Sequence, residues 1–316
     1  MNDSNFMLNL EKIAINDIKL FISDLSSHAV YTLIIVILSS LLNYFFLRSF
    51  ITQKINSLPS LKQSSATITS SNTNDEFYVE RGSPYDNRTI GTESANVIFH
   101  GPRDKKRIAI TFDAEMTDGM RANVISGRVK SSYDKRIIDI LNQTQTKATL
   151  FLTGMWIELY PDVTKEFSNN PLFELGSHSY TDSSYAGFCY GLKKLPNTVK
   201  IEDIGATEKL LREHAGIDNR FFRFPGGCYT PEDVKLVNQA NDTVVHWDVA
   251  GADGFNPNVN QVIHNVVDNT QNGSIIILHM NGAPTAPKTF EALPAIISQL
   301  KKKGFEFVKI SELLGL

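Results

Sequence analysis

Basic residues are too few in this 316-residue chain to outweigh the acidic ones: 31 Lys and Arg stand against 34 Asp and Glu, for a net charge of -3 and a pI near 6.2. That balance offers no electrostatic face for nucleic acid, which normally needs a basic surface. No internal repeat is present, which sets repeat architectures aside. Cysteine is scarce, and Cys189 and Cys228 allow at most one internal disulfide. Charge of either sign is missing from Val30 to Leu47 (VYTLIIVILSSLLNYFFL), where Asn43 is the only strongly polar residue. A run of this length is about the minimum that spans a bilayer as a helix. It lacks the polar stripe that a helix packed on a soluble core keeps. A membrane anchor is therefore expected over residues 30–48. The preceding residues 1–29 carry Asp3, Glu11, Asp17 and Asp24 and no small-residue cleavage site, so the anchor reads as uncleaved. Lys12 and Lys19 before it and Arg48 and Lys54 after it are balanced or slightly favour a cytoplasmic C-terminal side, so an extracytoplasmic placement is inferred from function and not from charge.

Residues 49–95 include a Ser-, Thr- and Asn-rich stretch without sustained apolar periodicity and read as a flexible linker. From residue 96 to 316 short apolar runs alternate with amphipathic stretches, the pattern of βα units around a mainly parallel sheet. Strands are predicted at Ile108 to Phe112, Lys147 to Thr153, Phe173 to Leu175, Phe221 to Phe224, Thr243 to Trp247, Ser274 to Leu278 and Phe305 to Lys309. Helices are predicted over Lys135 to Gln145, Val199 to Glu213, Pro231 to Gln239, Val259 to Thr270 and Ala292 to Lys302. Alternation continued this long favours a barrel or distorted barrel over an open two-layer sheet.

Chemistry gathers at the ends of these strands, where α/β enzymes keep their sites. Ile110-Thr-Phe-Asp-Ala-Glu-Met-Thr-Asp-Gly119 is an apolar strand running into a carboxylate cluster, and Asp113 and Glu115, two apart, share a face if the strand continues. Polar groups recur at the ends Gly176 to Asp182, Phe222 to Gly227, Trp247 to Asp253 and Ile275 to His279. Any one of them alone reads as a loop or turn. Five in order suggest one site assembled by a barrel.

Taken together, ITFDAEMTDG, KATLFLTGMWIELYPD, GSHSYTD, FRFPGG and NGSIIILHM make the region from Arg107 to the C-terminus resemble the polysaccharide deacetylases, the carbohydrate esterases of family 4 related to the nodulation-factor deacetylase. The resemblance implies an α/β distorted (β/α) barrel and a hydrolase that removes acetyl from an N-acetylated glycan. It also implies one divalent ion, Zn or a neighbour such as Co. Asp113 matches the catalytic base. Glu115, reached by skipping Ala114, and His178 match metal ligands, while Asp182 stands where a second histidine is expected. Carboxylate and imidazole suit such an ion. Arg223 matches the arginine that holds the base, and Asp253 with His279 matches the aspartate-tuned catalytic acid. Gly226 and Gly227 stand where the family has Tyr-Gly, and Gly254 replaces a tryptophan whose place Trp247 is expected to fill in part.

The expected partners are a glycan substrate and, through the N-terminal helix, the lipid bilayer. The expected location is the cell membrane, with the domain on the extracytoplasmic side. Cys189 and Cys228 form a disulfide bracing the site if the domain is exported, or remain two buried thiols. Asp182, Gly226 and Gly254 also motivate an alternative, a membrane-tethered glycan-binding domain that has lost catalysis. A hydrolase of small amides is a third reading.

Overall fold

The computed structural model describes residues 97–316. The expected anchor and linker lie outside the described residues. Among the described residues no helix is long and apolar enough to cross a membrane.

Nine strands, all paired in parallel, form one sheet: β1 (Val97–Ile98), β2 (Arg107–Ala114), β3 (Ala148–Leu152), β4 (Phe173–Ser177), β5 (Phe221–Phe222), β6 (Thr243–Val245), β7 (Val249–Ala250), β8 (Ile275–His279) and β9 (Glu306–Phe307). Their order is β1-β6-β5-β4-β3-β2-β8-β7, with β9 on β2. The end strands β1 and β7 are not paired with each other, so the expected distorted barrel is an incomplete one. Between the strands run α1 (Asp118–Ile125), α2 (Lys135–Gln143), α3 (Gly154–Leu159), α4 (Pro161–Asn169), α5 (Lys200–Ala215), α6 (Pro231–Gln239), α7 (Val259–Val267), α8 (Thr289–Lys302) and a closing α9 (Ile310–Leu314).

Strand periodicity sorts the core into two compartments. Successive side chains of a strand point to opposite faces. Ile108, Ile110, Phe112 and Ala114 of β2 accordingly join Ile137 and Leu141 of α2 and Leu293, Ile296 and Leu300 of α8 in one cluster. Ala109 turns the other way, into a smaller cluster with Phe151, Phe221, Val245 and Ile275 that Ile310 and Leu313 of α9 close. Thr111 and Asp113 share the face of Ala109, further along the strand. The inner face is thus apolar towards the strand starts and polar at their C-terminal ends.

The elements missing from the sequence reading are β1, β7, α1, α3, α4 and α9. Helix α1 buries none of its residues, so it has no apolar stripe to detect. Its start is fixed by Thr117, whose side chain accepts the Met120 N–H. Helix α3 has six residues and buries Gly154 to Ile157 on all sides, which hides its period against the preceding strand.

At the start of β6 the buried Asp242 lies beside Glu208 of α5 and receives the Asn219 amide. Burial first, and then the Glu208 carboxylate, push Asp242 up to about 7. Glu208 is also raised by burial, against the pull of Asp242 and Arg212. A carboxyl that holds its proton more tightly when folded stabilises fully below its unfolded pKa, and that contribution fades as the pH rises through its folded pKa. The urea midpoint of the wild type is therefore expected to fall between about pH 4 and about pH 7, and Asp242→Asn to flatten that slope. An identical slope in both proteins would remove Asp242 as its source.

Candidate active site

Strand register brings the polar ends together. Asp113 pairs with His279 across β2 and β8, Leu152 with Ser177 across β3 and β4, and Ser177 with Phe222 across β4 and β5. His178 and Arg223 each follow the last of these residues, held by the His178 N–H on Leu152 O at 2.9 Å and the Arg223 N–H on Ser177 O at 2.8 Å. Asp113, Glu115, His178, Asp182, Arg223, Asp253 and His279, scattered over 167 residues of sequence (279 − 113 + 1 = 167), meet at one mouth.

Arg223 is fully buried and uses its guanidinium on four acceptors. Nη1 donates to Asp113 Oδ1 and to Thr111 Oγ1, each at 2.8 Å, while Nε reaches Val245 O and Nη2 reaches His246 O, both at 3.2 Å. Its flat face lies 4.0 Å from the Phe151 ring centre and 5.6 Å from that of Trp247. Asp113 is fixed through Oδ1, which leaves Oδ2 facing His178 Nε2 at 3.6 Å. Trp247 stacks on His246 at 3.9 Å and reaches the space beside Gly227.

A second group is arranged as ligands for a cation. One donor atom from each of Glu115, His178 and Asp182 lies within 4.8 Å of the others. His178 Nδ1 donates to Arg223 O at 3.0 Å, which leaves the lone pair of Nε2 turned to the site. Nε2 and Asp182 Oδ1 are both buried and have no hydrogen-bond partner, 3.9 Å apart. Burial lowers the pKa of His178, favouring the neutral imidazole that a metal requires. Burial, then Glu115, then Asp113 raise Asp182 well above the carboxylate range, as expected of crowded acidic groups in a buried pocket. The donor set of one imidazole and two carboxylates fits a divalent ion of the zinc type.

Across the mouth, His279 Nδ1 donates to Asp253 Oδ1 at 2.8 Å, and Nε2 lies 3.4 Å from Glu115 Oε1. Asp253 Oδ2 accepts the His279 backbone N–H at 2.8 Å and the Thr289 hydroxyl at 2.5 Å. Burial would lower the pKa of His279, but Asp253 and then Glu115 overcome it and raise it well above the usual value. Burial would raise Asp253, and the facing imidazole more than offsets it, so its pKa falls.

Several supporting residues carry no sequence signal of their own. Asp203, on α5, accepts the Tyr180 N–H at 3.0 Å and the Tyr185 hydroxyl at 2.8 Å on Oδ2, and the Thr181 hydroxyl at 3.3 Å on Oδ1. It thereby ties down the loop in which Ser179 and Asp182 hold positive φ of 63° and 51°, conformations that cost non-glycine residues about 1–3 kcal/mol each. Asn281 exchanges hydrogen bonds with the backbone of Glu115, its Oδ1 accepting the N–H and its Nδ2 donating to the carbonyl. Thr111 was not singled out in the sequence, although the two-residue strand period that puts it on the face of Asp113 could have found it. Asp203, Asn281 and Thr289 lie in parts of the chain that only the fold brings near.

Cys189 and Cys228 form a disulfide with their Cα atoms 6.1 Å apart. It links the loop after β4 to the turn after β5, which decides against two free thiols. A Cβ on Gly226, at φ +60°, would sit 2.4 Å from Cys189 Sγ. The crossing sulfur excludes a larger residue there.

With this geometry in place, comparison with known proteins gives a consistent result. A family model described as polysaccharide deacetylase matches residues 100–245. A peptidoglycan-N-acetylglucosamine deacetylase of Bacillus cereus is 30% identical over 220 residues, covering 69% of this chain and 92% of its own. Among solved structures, a peptidoglycan N-acetylglucosamine deacetylase in complex with 4-naphthalen-1-yl-N-oxidanyl-benzamide superposes with a TM-score of 0.59 at 28% identity, over 70% of this chain and 93% of that one. A mutant of a carbohydrate esterase family 4 pseudoenzyme with restored activity gives 0.56 at 25% identity, over 70% and 71%.

If Asp203 positions Asp182 for a metal, Asp203→Asn should weaken zinc binding about 10- to 100-fold while the protein stays folded. Calorimetric titration of the chelator-treated protein with zinc checks this. Unaltered affinity would show that the loop keeps its shape without Asp203.

Proposed function

The chain belongs to the polysaccharide deacetylase family, and on that premise we propose that it hydrolyses the N-acetyl groups of a cell-wall polysaccharide, releasing acetate and leaving free amino sugars. The observation that carries this reading is the assembly of a base, a metal-type ligand set and a carboxylate-backed imidazole around one mouth. The peptidoglycan relatives make an N-acetylglucosamine polymer the favoured substrate. The anchor expected over residues 30–48 would hold the domain at the cell membrane, facing the wall. A disulfide beside the site fits an oxidising, extracytoplasmic setting.

Glu115, His178 and Asp182 would hold the divalent ion, proposed as zinc, which when bound polarises the acetyl carbonyl and lowers the pKa of an attacking water. Asp113 takes the proton of that water through Oδ2, because Arg223 fixes Oδ1 and keeps the carboxylate oriented. Water oxygen bonds to the acetyl carbon, and the charge that develops on the carbonyl oxygen needs a backbone donor. Gly227 commits its N–H to Phe224 O, and the role is assigned to the amide of Gly226, which stands where the family has the tyrosine. His279, charged through its pairing with Asp253, then gives its proton to the departing sugar nitrogen as the carbon–nitrogen bond breaks. Asp253 stays ionised and keeps the imidazole in the tautomer that presents Nε2 to the substrate.

The similarity to a pseudoenzyme keeps the binding-domain alternative open to test. It differs in one observable, acetate release from N-acetylglucosamine oligomers before and after chelation and zinc return. Release that requires metal is expected. His279→Ala should lower turnover by about 10²- to 10⁴-fold. Asp113→Asn should do at least as much. The amide is the substitution to use there, since its Oδ1 still accepts the Arg223 N–H that truncation would leave unmet, although it removes the countercharge as truncation does. Wild-type rates in either variant would break these assignments, and a folded, metal-loaded protein inactive on several polymers would leave binding as the function.

A further inference from the structure

Aromatic rings usually leave the surface of a folded protein, and a cluster that does not marks a place where something else covers it. Of the six large apolar side chains exposed among the described residues, three lie on two loops flanking the catalytic mouth: Phe188 (82% exposed), Tyr190 (66%) and Phe255 (69%). Tyr190 and Phe255 are distant in sequence, yet their ring centres lie 5.1 Å apart at 36°. They form one surface across two loops.

Both loops are fixed, and both touch the chemistry. Tyr190 follows Cys189, whose disulfide to Cys228 ties it to the turn after β5, and the Leu192 N–H closes the loop on Cys189 O at 2.8 Å. The space where Gly226 would carry a Cβ lies 3.2 Å from the Tyr190 ring. Phe255 follows Asp253 by two residues, and its N–H donates to Ala252 O at 3.1 Å. Gly254 between them lies against His279, 3.7 Å from its ring to the position of a Cβ. Phe255 is thus one residue from the glycine that lies against His279, and Tyr190 lies against both Phe255 and the turn that holds Gly226.

We propose that Tyr190 and Phe255, extended by Phe188, form a stacking platform for the pyranose rings next to the one being deacetylated, so that the protein grips a chain and not a single sugar. This rests on the deacetylase reading of the same mouth. The C–H face of an equatorially substituted pyranose is apolar and weakly positive, and it suits the negative face of an aromatic ring. Such a platform adds affinity without reading exocyclic groups, as aromatic surfaces do for other polymers with stackable units. The occupant is a β-linked N-acetylated glycan chain, because the surface is continuous with the groups that act on one. The platform also places rings where the sequence lacks them, since Gly226 and Gly254 leave the mouth without walls of their own.

The test compares the full-length wild type with Tyr190→Ala, Phe255→Ala and the ring-preserving Phe255→Tyr on N-acetylglucosamine dimer and hexamer. For the hexamer, each alanine variant should raise KM about tenfold with kcat held within about twofold. The dimer should respond far less, and Phe255→Tyr should restore the wild-type KM. Hexamer binding by titration calorimetry in the Asp113→Asn background should weaken in parallel, and this arm needs no turnover. Unchanged KM and unchanged hexamer binding would overturn the platform and leave the deacetylase reading standing. Hexamer binding that depends on both rings, in a protein that releases no acetate, would keep the platform and remove the hydrolase. Unchanged hexamer affinity with lost sedimentation on phosphatidylglycerol vesicles would reassign the patch to a lipid surface and overturn the proposal.

Discussion

Burying the Arg223 guanidinium inside the barrel is costly enough that its neighbours must all be arranged to receive it. An ion of this size loses several kcal/mol on leaving water, and the loss is recovered only with good geometry and full hydrogen bonding. The fold supplies both. Thr111 and Asp113 come from the inward face of β2, two carbonyls come from the end of β6 and the residue after it, and Phe151 and Trp247 cover the planar face. The Arg223 carbonyl, in turn, fixes the tautomer of His178. One buried cation therefore sets the orientation of Asp113 and of a neighbouring imidazole, and binds the two halves of the site to a single register of the sheet.

The acidic side of the mouth is built on an opposite imbalance. Asp113 has its countercharge in Arg223 and Asp253 has His279, but Asp182 has neither, and it sits beside Glu115 and Asp113 in a buried pocket. Protonation would relieve the repulsion in the metal-free protein; a divalent cation would relieve it more completely. Replacing an imidazole by a carboxylate at this position adds negative charge to the ligand set and lowers the effective positive charge that a bound ion presents to a carbonyl. The raised His279, drawn up by Asp253 and Glu115 together, sits on the far side of the same charge pattern. The mouth is thus organised as a central acidic cluster between two cations, Arg223 beneath and His279 at the rim.

How much of this the sequence disclosed follows from range. Asp113 and Glu115 were legible because a strand's two-residue period places them, and His178 to Asp182 because their spacing is local. The strands and the longer amphipathic helices were legible for the same reason, as α6 shows, its predicted bounds coinciding with Pro231–Gln239. Helices α1 and α3 were not, since one buries none of its residues and the other buries four in succession, Gly154 to Ile157. Asp203, Asn281 and Thr289 act on residues 23, 166 and 36 positions away, so no local pattern could reveal them. The resemblance to a family carried the roles of the site residues, but it described Gly226 and Gly254 only as departures and gave no reason for either.

The structure separates those two glycines. At Gly226 the Cys189 sulfur occupies the space of any side chain, and φ of +60° adds a second reason for glycine. The aromatic residue of the family pattern does not fit beside this disulfide, so disulfide and glycine go together in this turn. At Gly254 nothing comes nearer to a Cβ than 3.7 Å, so packing alone would admit a larger residue. What the larger residue would occupy is the open space against His279, the approach to the proposed acid. Gly254 keeps that approach wide, and the neighbouring Phe255 puts its ring outside it, against Tyr190. An open approach at Gly254 with aromatic rings beside it is the arrangement on which the proposed grip on neighbouring sugars rests.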